Sequence, residues 1–122
     1  MPQRQPDNLA DLTYGVDLAL QGVADEPNNV VKHQALRNAA LRYKAGGGKA
    51  AGILERLGIH RRDPLGRLLQ VERLWSLDAG NLDYVPQVFA AVAGVDRCTP
   101  SPGFAAVRRW LYDILAAGGA GA

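Results

Sequence analysis

The run Ala45-Gly46-Gly47-Gly48-Lys49 comes nearest to a phosphate cradle in this sequence. Glycine N–H groups and a lysine ahead of a helix attract anions. A nucleotide-binding loop, however, follows a strand and closes on Gly-Lys-Ser/Thr, whose hydroxyl holds Mg²⁺. Here Ala50 stands at the hydroxyl position and a helical pattern precedes the glycines, so the run reads as a helix C-cap and linker. Metal chemistry finds no ligand set: His33 and His60 lie 27 residues apart with no further ligand at metal-binding spacing. Glu72 falls on the apolar side of its helix. A carboxylate there can act as a base when burial raises its pKa, although pairing with a neighbouring arginine is the commoner use. Cys98, far from either histidine, lacks the arrangement of an activated nucleophile. The residue types and spacings therefore predict a non-enzymatic module with no metal and no cofactor.

Positive charge is the stronger signal. The net charge of +2 conceals a basic middle: residues 32–73 hold ten Lys/Arg against three acids, whereas residues 1–31 hold one against five. Residues 74–122 are nearly balanced, three against four. Arg56, His60, Arg61, Arg62, Arg67 and Arg73 form the densest cluster and are the candidate partner-binding residues. The segment Ile53-Leu54-Glu55-Arg56-Leu57-Gly58-Ile59-His60-Arg61-Arg62 resembles a helix–turn–helix, with Gly58 at the turn and basic residues opening the second helix. That resemblance implies nucleic-acid binding through phosphate contacts. Two features depart from it. Leu54 stands where the motif wants a small residue, and Asp63-Pro64 delays the second helix.

The elements that must position these residues read as helices. Leu9, Leu12, Val16, Ala19, Leu20 and Val23 recur on one side of a 3.6-residue period, with Asp7 or Asn8 as the cap. Asp25 to Asn29 breaks this pattern, and a second helix is predicted over 29–44, ended by the glycine run. A short third helix is predicted over 49–57. Asp63-Pro64 starts the next, an acceptor followed by a proline where the missing N–H costs nothing. In 64–77, Leu65, Leu68, Leu69, Val71 and Trp75 cover one side and Leu74 and Leu77 the other, the pattern of a helix sandwiched between neighbours. Further helices are predicted over 84–93 and 103–117, joined by a loop at 94–103. Phe104, Val107, Trp110, Leu111, Ile114 and Leu115 form the cleanest stripe in the chain. No strand alternation of useful length occurs. The expectation is an all-α domain over 1–122, with five or six helices as stacked antiparallel pairs or a compact bundle and with 1–6 and 118–122 frayed.

Residues 82–117 resemble a HEAT repeat: a first helix with Pro86 near its start, Asp96 in the intervening turn, and a second helix opening through Val107-Arg108. The runs Asn81–Phe89 and Val107–Ile114 are similar to the HEAT regions of symplekin-type scaffolds of pre-mRNA cleavage and polyadenylation. The resemblance implies a protein-binding scaffold of stacked helix pairs in an RNA-processing assembly, with a nuclear location. On this reading Arg61, Arg62 and Arg67 meet an acidic partner surface, and Trp75, Trp110 and Tyr84 are candidate aromatic anchors. Without it, the single cysteine and the want of an apolar run near the ~20 residues that span a bilayer predict an intracellular, cytoplasmic protein with no membrane contact.

Overall fold

Helix capping is where sequence and structure first meet. Asn8 Oδ1 accepts the Ala10 N–H at 2.8 Å, Asn29 Oδ1 the Val31 N–H at 3.0 Å, and Asp63 Oδ2 the Gly66 N–H at 2.7 Å. Each satisfies a donor that the first turn of a helix leaves without a partner. The computed structural model describes residues 8–52 and 63–118. Among the described residues there are five α-helices and no strand: α1 (Leu9–Asp25), α2 (Val30–Ala45), α3 (Pro64–Leu77), α4 (Tyr84–Cys98) and α5 (Gly103–Ala116). None is long and apolar enough to cross a membrane. The chain is all-α, built of packed helix pairs.

The sandwiched pattern of 64–77 finds its neighbours: α3 packs against α1, α2 and α4. Its Leu68, Val71, Leu74 and Trp75 join Val85, Val88, Val92 and Val95 of α4 and Phe104, Val107, Leu111 and Ile114 of α5 in the main core. Leu69 packs instead against a smaller cluster of Val16 and Val23 from α1 and Leu36 and Ala39 from α2. The stripe predicted for the last helix is buried at four of its six positions; Trp110 is half-buried and Leu115 exposed.

Two expectations change. Lys49 to Gly52, the start of the predicted 49–57 helix, is not helical, and the rest of that segment lies outside the described residues. The predicted loop at 94–103 shrinks to Thr99–Pro102, because α4 continues through Gly94 to Cys98. Val95 extends the stripe of Val85, Val88 and Val92, and burying it outweighs the helix cost of one glycine, about 1 kcal/mol. The short Asp78–Asp83 turn joins α3 and α4 as antiparallel neighbours, and α4 packs more extensively on α3 than on α5.

The turn between α1 and α2 ties the N-terminal pair to α5. Asn28 Nδ2 donates to Ser101 Oγ at 2.8 Å, and Gly103 lies so close that a Cβ there would collide with the Asn28 carbonyl. Leu111 is fully buried and Leu115 is 45% exposed on the same helix. Leu111→Ala is therefore expected to destabilise the protein by about 2–5 kcal/mol, and Leu115→Ala to stay within about 0.5 kcal/mol of wild type. Urea unfolding followed by circular dichroism measures both.

Candidate functional site

Of the six basic candidates, Arg56, His60, Arg61 and Arg62 lie outside the described residues, and with them the whole helix–turn–helix segment over 53–62. Arg67 and Arg73 are both on α3, but its rotation sends them to different neighbours. Arg73 Nε reaches Asp17 Oδ1 of α1 at 3.6 Å. Arg67 lines an open groove of about 520 Å³ between α3 and α4, opposite Arg97. Sequence distance hid Arg97 from the cluster. It enters because α3 and α4 run antiparallel, which sets the last turn of α4 beside the first turns of α3.

The glycine run is a built turn. The Gly46 N–H caps the Arg42 carbonyl at 2.9 Å, and Gly47 has a φ of +88°, a conformation that favours glycine. Gly48 lies flat on the Tyr43 ring, in the space a side chain would need. The Tyr43 hydroxyl donates to the Lys49 carbonyl at 2.8 Å and accepts the Lys49 N–H at 3.1 Å. The expected helix C-cap is thus present, and Lys49 closes it on Tyr43.

Glu72 is fully buried, and its partner is a histidine rather than the arginine expected. His33 Nδ1 lies 2.9 Å from Glu72 Oε1, and Nε2 lies 2.7 Å from the Pro27 carbonyl. A carbonyl only accepts, so Nε2 carries a hydrogen, and one proton sits between Nδ1 and the carboxylate. Burial acts to lower the His33 pKa. The Glu72 hydrogen bond, its negative charge and the Pro27 carbonyl together outweigh burial and raise it above the ordinary 6.5. Arg37 borders the same pocket, where its Nη1 donates to the Ala79 carbonyl at 2.7 Å. Its guanidinium lies 4.6 Å from the centroid of the Trp75 ring, and burial lowers its pKa. The cavity among these side chains is about 10 Å³, room for no more than a water molecule.

The proposed aromatic anchors divide. Trp75 and Tyr84 are buried in the core, and Trp110 packs against it, 6.4 Å from Trp75 and 6.3 Å from His33. The aromatic side chains that do reach solvent near the C-terminal helix are Phe89 of α4, 39% exposed, and Tyr112 of α5, 66% exposed. They border a shallow, largely apolar depression of about 430 Å³, with Arg108, Arg109 and Asp113 around it. Arg108 is held by Asp96, Nη1 to Oδ2 at 2.8 Å. That bond is the main cause of a lowered Asp96 pKa, helped by the Ser101 N–H. Sequence reasoning passed over Tyr112, whose position one residue beyond Leu111 turns it away from the buried stripe. Cys98 is exposed at the end of α4, and among the described residues no three His, Cys, Asp or Glu side chains gather to hold a metal. No family model matches this sequence, and comparison with curated proteins and with solved structures gives no match either.

The buried pair sets two expectations. Because folding raises the His33 pKa, its stabilisation is complete below about pH 6.5 and is lost as pH rises through the folded-state value. Thermal unfolding across this range should show a falling midpoint that His33→Gln flattens. Removing one partner leaves the other buried alone: Glu72→Ala is expected to cost about 3–5 kcal/mol, and His33→Leu with Glu72→Met much less than the sum of its single changes. A double-mutant cycle in urea reads that difference directly.

Proposed function

We propose that the chain is a non-enzymatic protein-binding scaffold of HEAT-like helix pairs, with its main contact at the α4–α5 face. The observation that carries this reading is the Phe89–Tyr112 depression: two exposed aromatic rings, one on each of two packed helices, bordering a largely apolar depression. Buried aromatic anchors dominate the energy of protein interfaces, whereas exposed single charges contribute about 0–1 kcal/mol each. The charges around the depression are nearly balanced. Asp96 holds Arg108, and Asp113 lies beside Arg109, so the rim lacks the excess of cations that a phosphate backbone demands. The HEAT-like reading draws on Val107-Arg108: Val107 is fully buried and Arg108 pairs with Asp96, which lies in the last turn of α4 and not in the turn that follows it.

The test is affinity capture from a nuclease-treated native extract, with wild type and Tyr112→Ser compared at equal folded concentration. Specific protein partners should persist after nuclease, and the substitution should weaken their retention about tenfold or more. Partners that vanish with nuclease overturn the proposal. So does duplex DNA or structured RNA bound with a steep loss of affinity between about 50 and about 200 mM salt, the behaviour of the helix–turn–helix alternative.

A further inference from the structure

The α3–α4 groove is a separate surface, and its chemistry is more specific. Antiparallel packing sets Arg67, early in α3, across from Arg97 in the last turn of α4, over a floor of Val71, Ala90, Ala91 and Gly94. Among the described residues no carboxylate lines the groove, and neither arginine has an acidic partner. The acids beside them in sequence are turned to other work. Asp63 caps Gly66 at 2.7 Å, and Asp96 binds Arg108 and the Ser101 N–H.

We propose that this groove binds a carboxylate-bearing protein segment, with Arg67 and Arg97 holding its acidic side chains and the small apolar floor receiving an aliphatic side chain beside them. Two guanidinium groups match one or two carboxylates, and each pairing is a charge-assisted hydrogen bond, stronger than a neutral one. A polynucleotide would need a longer file of cations and no apolar floor. A small free carboxylate would need a site closed around it, and this groove of about 520 Å³ is open to solvent. Gly94 keeps the floor low. A Cβ there meets only Arg97 Nη2 at 3.8 Å and Pro64 Cβ at 4.0 Å, so a larger side chain would fit the helix and project into the ligand's place. The proposal stands apart from the Phe89–Tyr112 face, and the two can fail separately.

The experiment probes the full chain against an array of short random peptides, followed by fluorescence anisotropy with the best acidic peptide and its Asp→Asn, Glu→Gln counterpart. Bound peptides should be enriched in Asp or Glu beside Val, Ala or Ile, and the neutral counterpart should bind about tenfold more weakly or worse. Arg67→Glu with Arg97→Glu should abolish binding. Gly94→Leu should do so with both arginines intact and the helical spectrum unchanged, whereas Tyr112→Ser should leave binding as it is. Hits without acidic enrichment overturn the proposal. So does undiminished binding by the Arg67→Glu, Arg97→Glu protein or by Gly94→Leu, and so does displacement of the peptide by RNA or by free glutarate at lower concentration than by the peptide itself.

Discussion

The proton shared by His33 and Glu72 fixes how three parts of the chain sit together: the turn at Pro27, helix α2 and helix α3. An imidazolium and a carboxylate taken from water into a protein interior lose several kcal/mol of hydration each, and only close, well-aimed partners return it. The geometry must therefore be kept. If α3 slid by one turn, Glu72 would leave His33, and two charges would remain buried without partners. Apolar contacts such as those of Leu68 or Val88 tolerate small slips because they have no direction. The pair supplies the direction, and Trp110 of α5 packs near the imidazole, so the last helix feels the same constraint.

That arrangement divides the ionisable groups by depth. His33, Arg37 and Glu72 are spent inside, on a carbonyl, a ring and each other. Outside, Asp96 fixes Arg108 across the α4–α5 connection, and Asp17 meets Arg73 across α1 and α3. Among the described residues, Arg67 and Arg97 stay over the α3–α4 groove, and Phe89 and Tyr112 stand exposed on the α4–α5 face. The described members of the basic middle do not share one surface: Arg37 is buried, and Arg67 and Arg73 leave α3 toward different neighbours, which a count along the chain cannot show.

Much of the fold was legible because its causes are local. Asn8, Asn29 and Asp63-Pro64 announce helix starts by chemistry that acts within three residues, and the α5 stripe encodes its own buried face. The end of α4 was less legible, since Gly94 acts as a stop signal only when no buried residue follows, and Val95 follows. The histidine pair could not be read at all. His33 and Glu72 are 39 positions apart, and nothing in either helix's own period states that their polar positions will meet. Arg97 escaped notice for the same reason, its relation to Arg67 being a product of antiparallel packing. Glu72 on an apolar face was the one visible sign that a buried partner must exist.

Helix α3 reaches both apolar clusters, Leu68 on one and Leu69 on the other, and this has a kinetic consequence. During synthesis α1 and α2 leave the ribosome first and can close on each other through Val16, Val23 and Leu36. They cannot finish. Until α3 emerges, His33 has only the Pro27 carbonyl, and the side of the hairpin that Leu69 will cover faces water. Docking of α3 covers the smaller cluster through Leu69, whereas the main core waits for α4 and α5, which leave the ribosome after it.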